Sequence, residues 1–236
     1  MAQLPNASIS LRVLALLLSY PDATLRSKLA DMRDALHTDR IVSANRLAEL
    51  DALIGTLESG NALGNEAEYV EMFDRGRATS LHLFEHVHGD SKDRGPAMID
   101  LTQTYEKAGL FLAPGELPDY LPVVLEFVST QPPKEARAFL GEMAHIFNAI
   151  FNALQKRQSA YASVVGALLE IAGESAHPVK VVADEPIDAV WEEPVVFDGC
   201  STQGQAKPGT AQPIHFVKKA AAHASTQSAA HPGVTA

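Results

Sequence analysis

Apolar residues in this chain recur at helical spacing from its first tens of residues up to Gly173 and not beyond it. Leu47, Leu50, Ile54 and Leu57 keep the three-and-four step of one helix face, and Gly60 follows as a stop signal. Met98, Leu101, Tyr105 and Ala108 repeat the step, with Pro96 suited to a first turn and Gly109 to an end. Leu121, Val124, Leu125 and Val128 form a third stripe after Pro118-Asp119. Leu140, Met143, Ala144, Phe147, Phe151 and Leu154 read as one long stripe, and Tyr161, Val164, Val165 and Leu168 close the series. Residues 11–18 are apolar on almost every side, which predicts a central buried helix. Sustained two-residue alternation, hairpin turns between β-branched runs and repeats of fixed period are all absent from the sequence. The pattern predicts an all-α fold, a single compact domain of about seven or eight helices.

Composition changes at Gly173. Residues 174–236 contain no Leu, Met, Tyr or Arg, yet carry six of the 14 prolines. Such a segment buries too little apolar surface to offset the entropy of ordering it. The expected organisation is a helical domain over 1–173 and a disordered tail over 174–236. Two apolar islands interrupt that tail: Val190-Trp191 with Pro194-Val195-Val196-Phe197, and Pro213-Ile214-His215-Phe216-Val217. They read either as stray hydrophobic residues in a linker or as short docking motifs.

The formal charge is −10, and the first 173 residues alone hold 15 Lys and Arg against 22 Asp and Glu. This surface repels nucleic acid and anionic lipid and favours basic partners. The single cysteine, Cys200, excludes an intrachain disulfide and a cysteine-built metal site, and fits a reducing compartment. The longest apolar run is six residues, 13–18, far short of the roughly 20 that a membrane span needs. Nothing basic precedes Arg12, so the N-terminal segment reads as the first helix of a cytoplasmic protein rather than a secretion signal.

Chemistry-bearing residues concentrate in 69–95, YVEMFDRGRATSLHLFEHVHGDSKDRG, which carries three of the nine histidines. Asp74, Arg75, Arg77, Asp90, Lys92, Asp93 and Arg94 are expected on a loop between two aromatic-bearing helices. Within this stretch His82-Leu83-Phe84-Glu85-His86 has the HxxEH spacing of a class of zinc peptidases. On a helix the two imidazoles would stand about 40° apart, with Glu85 about 60° to the other side of His82. A zinc hydrolase is one reading, although no third ligand suggests itself. The second reading is structural, with imidazoles bonded to nearby carboxylates or carbonyls and His86 and His88 at a helix end before Gly89. The third is recognition of a partner.

Six short segments resemble one family. Phe73-Asp74-Arg75-Gly76-Arg77, then Leu83-Phe84-Glu85-His86-Val87-His88-Gly89 and Asp93-Arg94-Gly95, are similar to the nitrate reductase molybdenum cofactor assembly chaperones, the so-called delta subunits of respiratory nitrate reductase. Leu17-Leu18-Ser19-Tyr20-Pro21, Glu116-Leu117-Pro118-Asp119-Tyr120-Leu121-Pro122 and Gln212-Pro213-Ile214-His215-Phe216-Val217 resemble that family as well. The resemblance implies an all-helical, cytoplasmic chaperone of the redox-enzyme maturation group that catalyses nothing. Its implied partner is the catalytic alpha subunit of nitrate reductase, met as apoenzyme through an N-terminal peptide resembling a twin-arginine leader. It would hold this client for insertion of the molybdenum cofactor, in concert with cofactor delivery proteins, without binding metal or cofactor of its own. An alternative client is another molybdoenzyme, such as a dimethyl sulfoxide or trimethylamine N-oxide reductase subunit. Tyr120 departs from the acidic-Pro-Asp-His signature of the wider superfamily, and His82 lies outside the motif.

For such a client, Tyr69, Phe73 and Phe84 are expected to line an apolar floor. Glu71, Glu85, Glu116 and Asp119 are expected near its rim for basic groups. Arg75 and Arg94 complete the charged set, and His86 and His88 titrate near neutrality if unperturbed, which admits a pH-dependent release step.

Overall fold

The structure is a computed structural model that describes residues 6–88 and 91–178. Among these residues lie eleven α-helices and one 3-10 turn, and the only extended pairing is a single antiparallel bridge between His82 and Tyr120. The all-α expectation holds. The tail beyond Pro178, with both apolar islands, and Gly89 and Asp90 lie outside the described residues.

Three apolar helices make the centre. Helix α1 (Ser8–Leu17) buries Leu11, Val13, Leu14, Ala15 and Leu17, and packs chiefly on α8 (Leu121–Ser129). Helix α8 starts with Pro122 in its first turn, where a missing N–H breaks no helical bond, and buries seven of its nine residues. Helix α11 (Ala162–Ala172) buries nine of eleven and ends at Gly173, whose φ of 81° lets the chain turn out. There the Glu174 N–H bonds the Leu169 carbonyl at 2.9 Å, satisfying a terminal acceptor.

Around this centre stand α2 (Ala23–Arg26), α3 (Leu29–Asp39), α4 (Ala44–Ser59), α5 (Ala62–Phe73), α6 (Leu83–Val87), α7 (Arg94–Lys107), α9 (Pro133–Glu142) and α10 (Ala144–Lys156). Side chains cap several of them: Asp22 accepts the Leu25 N–H at 2.8 Å, and Ser43 accepts the Arg46 N–H at 3.3 Å.

The helix number exceeds the expected seven or eight for two reasons. Helices α2 and α6 have four and five residues, too few for a stripe to show. The long stripe from Leu140 to Leu154 also divides at Met143, whose carbonyl takes the Ile146 N–H at 2.9 Å in a tighter 3-10 type turn. That turn re-aims the chain, so that α9 packs on α8 and α11 while α10 packs on α11 and the 3-10 turn at Arg77–Thr79. The same 3-10 turn and α6 interrupt what the sequence suggested as one charged loop.

Candidate functional site

Two of the motif segments meet at Asp119, whose side chain has no solvent exposure. Residues 81–84 and 119–121 run past each other. The Leu83 N–H bonds the Asp119 carbonyl at 3.0 Å, and the Leu121 N–H bonds the Leu81 carbonyl at 2.8 Å. The carboxylate of Asp119 then accepts the Phe84 N–H at 3.2 Å. His82 occupies the cap position of α6 but gives it no side-chain bond, so Asp119 supplies the acceptor that the first turn needs. His82 Nδ1 lies 3.4 Å from Asp119 Oδ1, and the Arg94 guanidinium lies 4.0 Å from Asp119 Oδ2 and 3.9 Å from Glu85. The buried negative charge is thus met by one hydrogen-bonded N–H and two cationic or ionisable groups, as burial of a carboxylate requires. Its bond to Asp119 holds the His82 imidazole above its ordinary range, against the opposing effects of burial and Arg94.

A second array abuts the first. Tyr69 Oη donates to the Leu18 carbonyl at 2.7 Å and lies 3.1 Å from Tyr120 Oη. A phenol has one proton, so Tyr120 is the donor to Tyr69. Burial raises both phenols above their ordinary range. The Tyr120 ring lies against the His82 ring with centroids 5.3 Å apart. Tyr69 also packs edge-on to Tyr20 at 5.7 Å and against Phe73 at 4.8 Å, and Phe73 meets Tyr161 at 5.0 Å. The opening motif at Leu18 and Tyr20, the central motif and the Asp119 segment therefore form one connected patch.

Of the residues singled out in the sequence, Phe84, Glu85, Arg94 and Asp119 come together, with Tyr69 joined to them through Tyr120. Tyr69 and Phe73 sit in the core, at 4% and 5% exposure, and Asp119 lies inside the patch rather than at a rim. Phe84, Glu85 and His88 are half-buried, and His88 stands edge-on to Phe84 at 5.3 Å. His86 Nε2 donates to the Ser80 carbonyl at 2.9 Å, which assigns the proton to that nitrogen. Glu71, in the last turn of α5, and Arg75, just beyond its end, pair with each other at 3.1 Å in the open. Glu116 accepts the Ala113 N–H at 2.9 Å in the loop before Asp119. Beside the patch Val87 and Leu117 are exposed, at 51% and 45%.

The HxxEH histidines do not share a helix face. His82 precedes α6 and turns to Asp119, whereas His86 turns to Ser80. Among the described residues no group of three His, Cys, Asp or Glu is placed to hold a metal ion. His82 and Tyr120 are the site residues that sequence reasoning set aside, because their partners lie 37 and 51 positions away.

Residues 41–165, which contain both segments that meet at Asp119, match the family described as nitrate reductase delta subunit. The chain belongs to this family. It is 41% identical over 195 residues to the nitrate reductase molybdenum cofactor assembly chaperone NarJ of Escherichia coli, covering 78% of this chain and 83% of that one. It is 38% identical over 120 residues to the nitrate reductase-like protein NarX of Mycobacterium tuberculosis, where the match spans 50% of this chain and 18% of the relative. The fold is also that of a crystal structure described as a redox enzyme maturation protein from Archaeoglobus fulgidus. The TM-score is 0.50 at 20% identity, over 71% of this chain and 94% of that one.

Proposed function

We propose that this chain is a dedicated assembly chaperone, not a catalyst, for the catalytic alpha subunit of a respiratory nitrate reductase. It binds the apo subunit through a basic N-terminal peptide that resembles a twin-arginine leader. It holds that subunit for insertion of the molybdenum cofactor, before the complex docks at the membrane. The observation that carries this reading is the identity of 41% across most of both chains to a chaperone named for that task. The physical properties agree with it. A charge of −10 suits a basic client, and an all-helical surface offers grooves for an amphipathic peptide. None of the described helices is long and apolar enough to cross a membrane, in keeping with work in the cytoplasm.

Client contacts are assigned to the outer edge of the Asp119 patch, at Phe84, Glu85, His88 and Arg94, and to Glu116 in the adjoining loop. Tyr69, Phe73 and Asp119 act from within by fixing the shape of that edge, while His86, Glu71 and Arg75 are the remaining candidates. The partners are the alpha subunit and the proteins that deliver its cofactor. Deletion of the gene in the source organism tests this. The alpha subunit purified from the deletion strain should contain little molybdenum, and the content should return with the chain supplied in trans. A normal molybdenum content in the deletion strain would overturn the reading.

A further inference from the structure

Phe111 is the most exposed large apolar side chain among the described residues, at 80%. The loop that carries it is nevertheless held at several points. Gly109 and Gly115 turn the backbone at φ of 80° and 91°, values that side chains resist. Tyr105 fastens both ends: its carbonyl takes the Leu110 N–H at 2.9 Å, and its hydroxyl donates to the Pro118 carbonyl at 2.8 Å. A loop built to this degree presents its aromatic ring to water.

Beside Phe111 runs a groove of about 370 Å³ along the seam of α1 and α8. Leu16, Val123, Tyr105 and Phe127 line it, with Leu110 and Leu112 toward the loop. Leu16 and Val123 are only half-buried, so apolar surface is left uncovered where α1 packs on α8. Two carboxylates, Glu116 and Glu126, stand at the groove with one cation, Arg12, whose Nε donates to Ser129 Oγ at 3.1 Å. Glu126 makes no ion pair among the described residues. The depression on α5 differs in its charge balance. Leu63 is exposed there too, but of its three carboxylates Glu66 pairs with Arg26 at 2.9 Å and Glu71 with Arg75 at 3.1 Å, which leaves Glu68 alone without an ion pair among the described residues.

The charges select the occupant. A second copy would bring carboxylates against carboxylates in a chain of net charge −10, and nucleic acid or anionic lipid would meet the same repulsion. An apolar floor with an unbalanced acidic edge fits a helix that carries aliphatic or aromatic residues on one face and basic residues beside them. We propose that the groove between α1, α8 and the loop at 110–116 holds the apolar face of such a helix, with Phe111 as the anchor that closes on it. This rests on the function proposed above, since the client peptide has that chemistry, and it gives the peptide a place next to the Asp119 patch.

The test uses the full chain and a fluorescein-labelled peptide of the cognate alpha-subunit N-terminus, followed by anisotropy. Phe111→Ser and Val123→Ser are expected to weaken binding by about tenfold each, as loss of a buried anchor does. Leu63→Ser, an equally exposed position on α5, should leave it within about twofold. Phe111 lies in open solvent, so its variant keeps the test valid if Val123→Ser melts early. Binding by the wild type that both groove variants retain would overturn the groove and leave the chaperone reading standing. No binding by the wild type would overturn both.

Discussion

The Asp119 carboxylate accepts the Phe84 N–H at 3.2 Å, so a residue 35 positions away caps a helix of only five residues. Removing it orphans that N–H and leaves Arg94 and His82 without their shared counter-charge. Asp119→Ala should therefore lower stability by about 2–3 kcal/mol, and Asp119→Asn by about 1 kcal/mol, since an amide oxygen still accepts from Phe84. The midpoint of urea unfolding, followed by circular dichroism, measures both. Equal midpoints for wild type and Asp119→Ala would show that the cap is idle.

His82 gains a partner on folding, so its folded pKa stands above the unfolded value of 6.5. The stabilisation is then fully present below the unfolded pKa and is lost as pH rises through the folded one. With the side chain 33% exposed, the effect should be under about 1 kcal/mol. The stability difference between wild type and His82→Gln should be larger at pH 5.5 than at pH 8. A difference that grows with pH has the wrong sign for this account.

Tyr69 and Tyr120 divide one hydrogen-bond chain unequally. Tyr69→Phe strands the Leu18 carbonyl and the Tyr120 proton, whereas Tyr120→Phe leaves Tyr69 bonded to Leu18. The expected losses are about 1.5 kcal/mol for Tyr69→Phe and under about 1 kcal/mol for Tyr120→Phe. Guanidinium unfolding of both singles and the double variant decides it, and a double variant equal to the sum of the singles would deny the coupling.

Gly76 belongs to the central motif because of space. A Cβ there would stand 2.5 Å from Thr79 Oγ1, 2.9 Å from Arg157 Nη1 and 3.1 Å from the Met72 carbonyl. Thr79 is itself held to Met72 and Gly76, so it cannot swing away freely. Gly76→Ala should cost about 1–3 kcal/mol, the range of overpacking, and thermal melting reads it directly. An unchanged melting temperature would show that the 3-10 turn yields.

Helices whose stripe runs through two turns or more, as from Leu121 to Val128, were legible because that signal is local, although the stripe of Leu29, Met32 and Leu36 in α3 went unread. The division at Met143 was not, since the apolar spacing continues across it while the hydrogen bonding changes. The resemblance brought Glu85, Arg94 and Asp119 onto one list without showing that they touch. Tyr120 read as a departure that removes an imidazole from beside Asp119. The structure places an imidazole there from His82, across the bridge, with Tyr120 packed on it and bonded to Tyr69. Spacing along the chain carries no trace of that exchange, because the partners are joined only by the fold.

The proposed function requires this chain to bind a basic amphipathic segment of the nitrate reductase alpha subunit. Titration calorimetry of that segment into the full chain, at low and at high salt, measures this binding. Micromolar or tighter binding with a negative heat-capacity change, weakened as salt screens the carboxylates, is the expected result. Absence of binding at either ionic strength would contradict the account.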